Sequence, residues 1–289
     1  MKRRFPVHIL VFLAPAVVIY TVFMIYPLFD SLRFSLFAPA DDGGLRFVGL
    51  ANYRTLLTSP QWAPQLLNAL HNNVVFFLIH MLVQNPVGLL LAALLSSRIV
   101  RGGAVYRALL FTPTVLSVVL VGFIWRMILS PLWGISGDAL GLVGLGALDQ
   151  PWLGQESTAL ATLALVSVWQ NVGIPMMLFL AALVGIPDEL LEAARVDGAN
   201  AWRVFWGVQF PLILPTVGIV AVLTFVGNFN AFDLIYTTQK AIAGPNFSTD
   251  IMGTFFFRTF FGFQLQPGNP TMGATIAGVM LVIILTGVL

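Results

Sequence analysis

The chain has 289 residues, of which 58% are hydrophobic and 9% charged, where ordinary globular domains carry about 25% charged residues. Folding in water hides only about 60–75% of the surface of such a chain, so the composition excludes a soluble domain. The high hydrophobicity and low charge exclude intrinsic disorder. The net charge of +2 comes from 14 basic and 12 acidic residues and gives no nucleic-acid surface. There is no cysteine, hence no disulfide, thiolate metal site or thiol catalysis. Lys2 and Lys240 are the only lysines and neither follows a Gly-rich loop, so no Walker phosphate-binding loop is present.

The composition predicts an all-α membrane protein, since a helical span needs about 20 apolar residues. Six apolar stretches qualify, at Phe5–Phe29, Asn73–Leu95, Ala108–Leu129, Thr158–Leu183, Gly207–Asn228 and Met272–Leu289. The first is longer than the roughly 7–15 apolar residues of a cleaved signal peptide. It also holds Pro15 and Pro27 and reads as a retained span. Prolines 86, 113, 175, 211 and 215 fit membrane helices, where neighbours satisfy the backbone groups that a proline frees. The last stretch reaches Leu289 with no basic flank, which points to a clipped C-terminus. The chain divides into residues 1–69, the first span with an outer loop, and residues 70–289, a core of five spans.

Lys2, Arg3 and Arg4 precede span one, and Arg98, Arg101 and Arg107 fill the link between spans two and three. The positive-inside rule makes both segments cytoplasmic, with both termini inside. The loop between spans four and five should then be cytoplasmic too. It nevertheless carries Asp188, Glu189, Glu192 and Asp197 against Arg195 and Arg203, so it needs another explanation.

That loop, residues 186–206, has Pro187 before a helix start, with Asp188 and Glu189 at the positive end of the helix dipole. Leu190, Leu191 and Ala194 share a face, Gly198 interrupts, and Trp202, Phe205 and Trp206 form a second, aromatic face. Two short helices bent at a glycine have the form of a docking knob. An interfacial helix lying on anionic headgroups is disfavoured by the acidic residues.

Glu192-Ala193-Ala194, Asp197-Gly198-Ala199, Phe205, Pro211 and Pro215 resemble the EAA signature of permease subunits of binding-protein-dependent ABC importers. Leu13-Ala14-Pro15 with Tyr26-Pro27, Phe47 to Tyr53 (FVGLANY) and Phe232 to Tyr236 (FDLIY) resemble the sugar-type branch, and within it the MalF/UgpA-like permease. The resemblance implies a polytopic bundle of about six transmembrane helices with a cytoplasmic coupling-helix loop. It assigns ATPase coupling to Glu192, Ala193, Ala194, Asp197 and Gly198. It implies a MalG-like second permease, two ATPase subunits carrying ATP and Mg, an extracytoplasmic solute-binding protein and a sugar or polyol substrate. No cofactor is expected in this chain, and the location is a prokaryotic cell membrane. After Tyr236 the stretch Thr238 to Pro245 departs from the family's Thr-Gly-Gly-Pro-like turn.

A transport path needs polar groups facing an internal cavity. Trp169, Gln170 and Asn171 in span four, and Asn228, Asn230, Asp233 and Tyr236 around the outer end of span five, are the path candidates. Asn72, Asn73, His80, Gln84 and Asn85 in span two form a third polar cluster. For His80, Gln84 and Asn85, bonding to a neighbouring helix is the favoured role. Asp233 has two readings: an intramembrane functional acid, or a structural partner of Arg126 or Arg258. No nucleophile–base pair stands out, and His8, His71 and His80 have no metal-binding spacing. The alternative to an ATP-driven importer subunit is a secondary transporter driven by an ion gradient, which would leave the 186–206 loop unexplained.

Overall fold

A computed structural model describes residues 7–40, 43–97, 102–264 and 266–289. Lys2, Arg3, Arg4, Arg98 and Arg101, on which the orientation argument leans, lie outside the described residues. Among the described residues, four helices are long and apolar enough to cross a membrane: Val11–Phe34, Ala63–Ser96, Ala201–Ile242 and Pro270–Val288. Two bent pairs raise the number to six if each is one span. These are Gly103–Val115 with Val118–Ile128, bent by 94°, and Glu156–Asn171 with Gly173–Val184, bent by 44°. Among the described residues, strands are confined to two short antiparallel hairpins, Phe37–Pro39 with Leu45–Phe47 and Gly262–Phe263 with Gln266–Pro267.

The structure differs from the hydropathy reading at span three, expected as one run over Ala108–Leu129. The helix ends at Val115, two residues past Pro113, and Leu116 and Ser117 are extended, with ψ of 142° and 134°. Two bonds between side chain and backbone tie this break to span four. Leu116 O accepts from Gln170 Nε2 at 3.0 Å, and Thr114 Oγ1 donates to Gln170 O at 2.9 Å. The helix Met252–Phe261 was also not anticipated, being short and interrupted by Arg258.

Among the described residues three π-helical turns occur, at Thr21–Ile25, His80–Gln84 and Phe205–Gln209, and each ends two residues before a proline, at 27, 86 and 211. A proline ring clashes with the carbonyl four residues back and offers no N–H to it. Widening the helix by one residue relieves the clash. The N–H groups of Tyr26, Asn85 and Phe210 accordingly reach back five residues, to the carbonyls of Thr21, His80 and Phe205.

By its contacts the chain sorts into two units, residues 1–66 with 256–283, and residues 67–255 with 284–289. In the first unit the FVGLANY stretch acts as a lock. Gly49 turns the chain at φ +56°, which suits a residue without a Cβ. Asn52 Nδ2 then donates to Ser35 O at 2.8 Å and Phe37 O at 2.7 Å, tying down the end of span one. Tyr53 reaches the Ser35 hydroxyl at 2.8 Å, and Thr275 Oγ1 donates to Ser35 O at 3.4 Å.

In the second unit, spans two and four pack closely because Gly88 admits them: a Cβ there would lie 3.1 Å from Met176 N. Small residues at such crossings let helices approach without lipid between them. Ala92, Met176, Phe179, Leu180, Leu183, Ile213 and Val220 form one apolar core, and Phe76, Leu160, Leu163, Ile235 and Ile251 belong to another. Polar side chains pin the same unit. Asn72 Nδ2 donates to Asp250 O at 2.8 Å, and fully buried Asn73 donates to Asn228 O at 2.9 Å. Asn73 Oδ1 also accepts the Met252 N–H at 2.7 Å, so a residue of span two caps the helix Met252–Phe261. Replacing Asn73 with Leu strands that buried N–H, at a cost of about 1–3 kcal/mol. The midpoint of thermal unfolding in detergent should fall accordingly, whereas Thr58→Ala at an exposed position should leave it within error.

Candidate translocation path and loop

Within the 67–255 unit lies a cavity of about 470 Å³. Its wall comes from the π turn of span two (His80, Gln84), both arms of span four (Ser167, Gln170, Asn171, then Ile174, Pro175, Leu178) and span five (Val220, Leu223, Thr224, Asn228). The break after span five adds Asn230 to Ile235. Helical spacing explains the polar stripes: His80 and Gln84, Ser167 and Asn171, and Thr224 and Asn228 are each four residues apart, on one face of a helix. The bend at Val172 and the non-helical Phe232, at φ −154° and ψ −53°, end two of these stripes at the cavity.

Five of the path candidates line this cavity: Gln170, Asn171, Asn228, Asn230 and Asp233. Trp169 and Tyr236 are not among the lining residues. Trp169 sets its ring edge-on to Trp125 at 5.5 Å, and Tyr236 stacks on Phe232 at 4.9 Å. Asn85 exchanges hydrogen bonds with Thr224 at 3.1 and 3.2 Å, the helix–helix role favoured for it. His80 and Gln84 do more, since both also line the cavity. Gln84 Oε1 and Asn228 Oδ1 are buried with no hydrogen-bond partner. Among the described residues no ion pair joins Asp233 to Arg126. Arg258 Nη1 donates to Gln65 Oε1 at 2.9 Å.

The structure also joins a pair that the sequence does not show. Ser167 Oγ lies 2.9 Å from His80 Nε2, although the residues are 87 apart. His80 Nδ1 faces the carbonyl of Phe76 at 2.8 Å, so Nδ1 carries the proton and Nε2 accepts from the serine. The amide NH2 groups of Gln170, Asn171, Asn228 and Asn230 each give one N–H to a backbone carbonyl, which leaves the second N–H as a further donor.

The loop between spans four and five forms the helix Asp188–Val196, a turn, and the helix Ala201–Val204 running into span five. Gly198 sits at φ +82°, in the left-handed region. The N–H of Gly198 bonds to Arg195 O and that of Ala199 to Ala194 O, both at 3.0 Å, which is the Schellman closure of a helix end. Asn200 Oδ1 then accepts the Arg203 N–H at 2.9 Å and caps the next helix. Glu192, Ala193, Asp197 and Gly198 are exposed and Ala194 is half-buried.

Residues 84–289 match the family described as the binding-protein-dependent transport system inner membrane component. The chain is 33% identical over 276 residues to a probable ABC transporter permease protein, YurN, of Bacillus subtilis, covering 95% of this chain and 91% of that one. It is 31% identical over 274 residues to the arabinooligosaccharides transport system permease protein AraP of the same organism, covering 95% and 84%. It is 28% identical over 264 residues to the lactose transport system permease protein LacF of Rhizobium radiobacter, covering 91% and 87%. In fold it is similar to a chain of a bacterial ABC transporter that imports the acidic polysaccharide alginate. The TM-score is 0.79 at 23% identity, over 96% of this chain and 92% of that one. With two thirds of its length matched to the family and relatives aligned almost end to end, this multi-pass helical chain belongs to the inner membrane components of binding-protein-dependent transport systems, the permease subunits of ABC importers.

Proposed function

We propose that this chain forms half of the translocation pathway of an ATP-driven importer of a sugar or related polyol. The observation that carries the proposal is the cavity, whose wall collects amide, hydroxyl and carboxylate groups from three spans beside apolar surface. That mixture suits saccharides, which present hydroxyls at their edges and C–H faces between them. The printed functions of the relatives, transport of arabinooligosaccharides and of lactose, support the same substrate class.

In this reading a MalG-like permease supplies the other half of the path, and an extracytoplasmic solute-binding protein delivers the sugar. Two cytoplasmic ATPase subunits bind ATP and Mg, and this chain contributes no catalysis and holds no cofactor. A solved structure of an alginate ABC transporter in complex with its ligand-bound periplasmic protein, similar in fold to this chain, supports the outer part of that arrangement. The chain sits in the prokaryotic plasma membrane with both termini cytoplasmic. Glu192, Ala193, Ala194, Asp197 and Gly198 dock on an ATPase subunit. Closure of the ATPase dimer on ATP draws the loops together and opens the spans outward, and hydrolysis resets them. The exposure of the loop and the doubly bonded turn at Gly198 support this role: a rigid knob transmits displacement where a slack loop would absorb it.

Proline cannot adopt the φ of Gly198, so Gly198→Pro should leave the chain in the membrane and abolish ATP-driven uptake. Glu192→Lys should impair ATPase docking, read as loss of the ATPase on co-purification. Wild-type transport by both variants would overturn the coupling role. Uptake should survive collapse of the proton gradient while ATP is maintained, against an ion-driven mechanism. Native mass spectrometry through a tag on this chain should show two different permeases and two ATPases. Asp233→Asn should lower uptake at equal membrane level with normal assembly, whereas a purely structural Asp233 would lose assembly and uptake together.

A further inference from the structure

We infer that Trp202, Arg203 and Trp206 form an anchor in the anionic headgroup layer of the cytoplasmic leaflet, set apart from the acidic helix Asp188–Val196 by the turn at Gly198. The inference rests on the cytoplasmic placement of the 186–206 loop and adds a lipid partner to that loop.

The charges of the loop are sorted along the chain. Asp188, Glu189, Glu192 and Asp197 all precede Gly198, whereas from Gly198 to Phe232 the one charged residue is Arg203. Arg203 is exposed, and among the described residues no carboxylate pairs with it. The acidic residues that disfavour a headgroup contact for the loop as a whole therefore all stand before the turn. A protein surface complementary to those four carboxylates is basic and repels Arg203, so the two sides of the turn suit different partners.

The helix that carries Arg203 has two faces. Val204 is buried, and Phe205 packs against the apolar core around Met176 and Ile213. Trp202 and Trp206 turn the other way and are 71% and 44% exposed. Their rings meet edge-on at 5.6 Å, and Trp206 continues to Phe210 at 4.8 Å. Leu214, the next residue at that spacing, is exposed as well. The aromatic ladder thus runs on into the exposed apolar surface of span five.

Depth identifies what meets the ladder. At about 1.5 Å per residue the apolar run Gly207–Asn228 is about 33 Å long, enough for a hydrocarbon core of about 30 Å. Trp206 and Trp202 stand about 2 and 8 Å before its first residue, across a headgroup layer of about 5–7 Å. Tryptophan is favoured at that level because its ring is apolar and its N–H polar. A guanidinium there meets lipid phosphate, for which its donors are matched.

The test uses the complete transporter in vesicles of phosphatidylcholine and phosphatidylglycerol in equal parts. Photoreactive p-benzoylphenylalanine replaces Trp202 or, separately, Trp206, and the adducts are weighed by mass spectrometry. Phospholipid adducts should outnumber protein adducts at both positions. Phosphatidylglycerol should be captured about fivefold more than phosphatidylcholine, the preference that one basic side chain at such a surface supports. Adding Arg203→Gln should bring the two lipids close to equality. Mainly protein adducts at either position, no adduct at all, equal capture with Arg203 intact, or an unchanged preference in Arg203→Gln overturns the anchor. The placement of the loop is read separately, since the chain has no cysteine. Ala201→Cys, at an exposed position, should react with a membrane-impermeant maleimide after cell lysis and not before. Reaction before lysis overturns the cytoplasmic placement and the anchor with it. Protection before lysis together with failed lipid capture overturns the anchor alone.

Discussion

In lipid, each backbone N–H and C=O of a span must find its partner inside the protein, and this chain carries prolines within its spans that withdraw such partners. Much of the architecture answers that constraint. Before prolines 27, 86 and 211 the helix widens by one residue and stays intact. After Pro113 it breaks, and the exposed Leu116 carbonyl is taken up by Gln170 of span four. The first solution keeps a span continuous, and the second turns a span through a large angle while tying it to its neighbour. The π turn before Pro86 has a second effect, since two of its residues, His80 and Gln84, stand in the cavity wall.

The polar side chains of the spans thus do two jobs at once. Asn73 and Asn85 are spent on helix junctions. Asn171, Asn228 and Asn230 line the cavity, each anchored through its amide nitrogen to a carbonyl of its own helix. Anchoring removes rotamer freedom before any ligand arrives.

The loop between spans four and five works on a different principle. Its stiffness comes from a closed helix end at Gly198, followed at once by an Asn200 cap, so two short helices are held at a set angle by local bonds. Such a turn needs no packing partner to keep its shape, which leaves Glu192, Ala193 and Asp197 outward-facing. The second helix runs through the π turn at Phe205–Gln209 into span five, which lines the cavity from Val220 onward. A displacement of the loop therefore has a continuous helical route toward the wall.

Membrane class, span order, the helix–glycine–helix loop and the family were legible in the amino-acid sequence, because each rests on composition or on residues close together along the chain. A run of apolar residues long enough for a bilayer leaves little choice of fold class, and a glycine where the backbone must turn left-handed declares itself locally. Five cavity residues were legible too, as polar groups on otherwise apolar helices. The break in span three, the capping of one helix by Asn73 of another, and the meeting of His80 with Ser167 were not. These depend on which spans pack together, and a hydropathy profile has no term for that. Trp169 and Tyr236 show the converse, since an aromatic beside a polar residue points to the path or to a neighbouring ring according to helix rotation. Only the tertiary structure decided which polar side chains meet around one cavity, because that depends on how spans two, four and five pack.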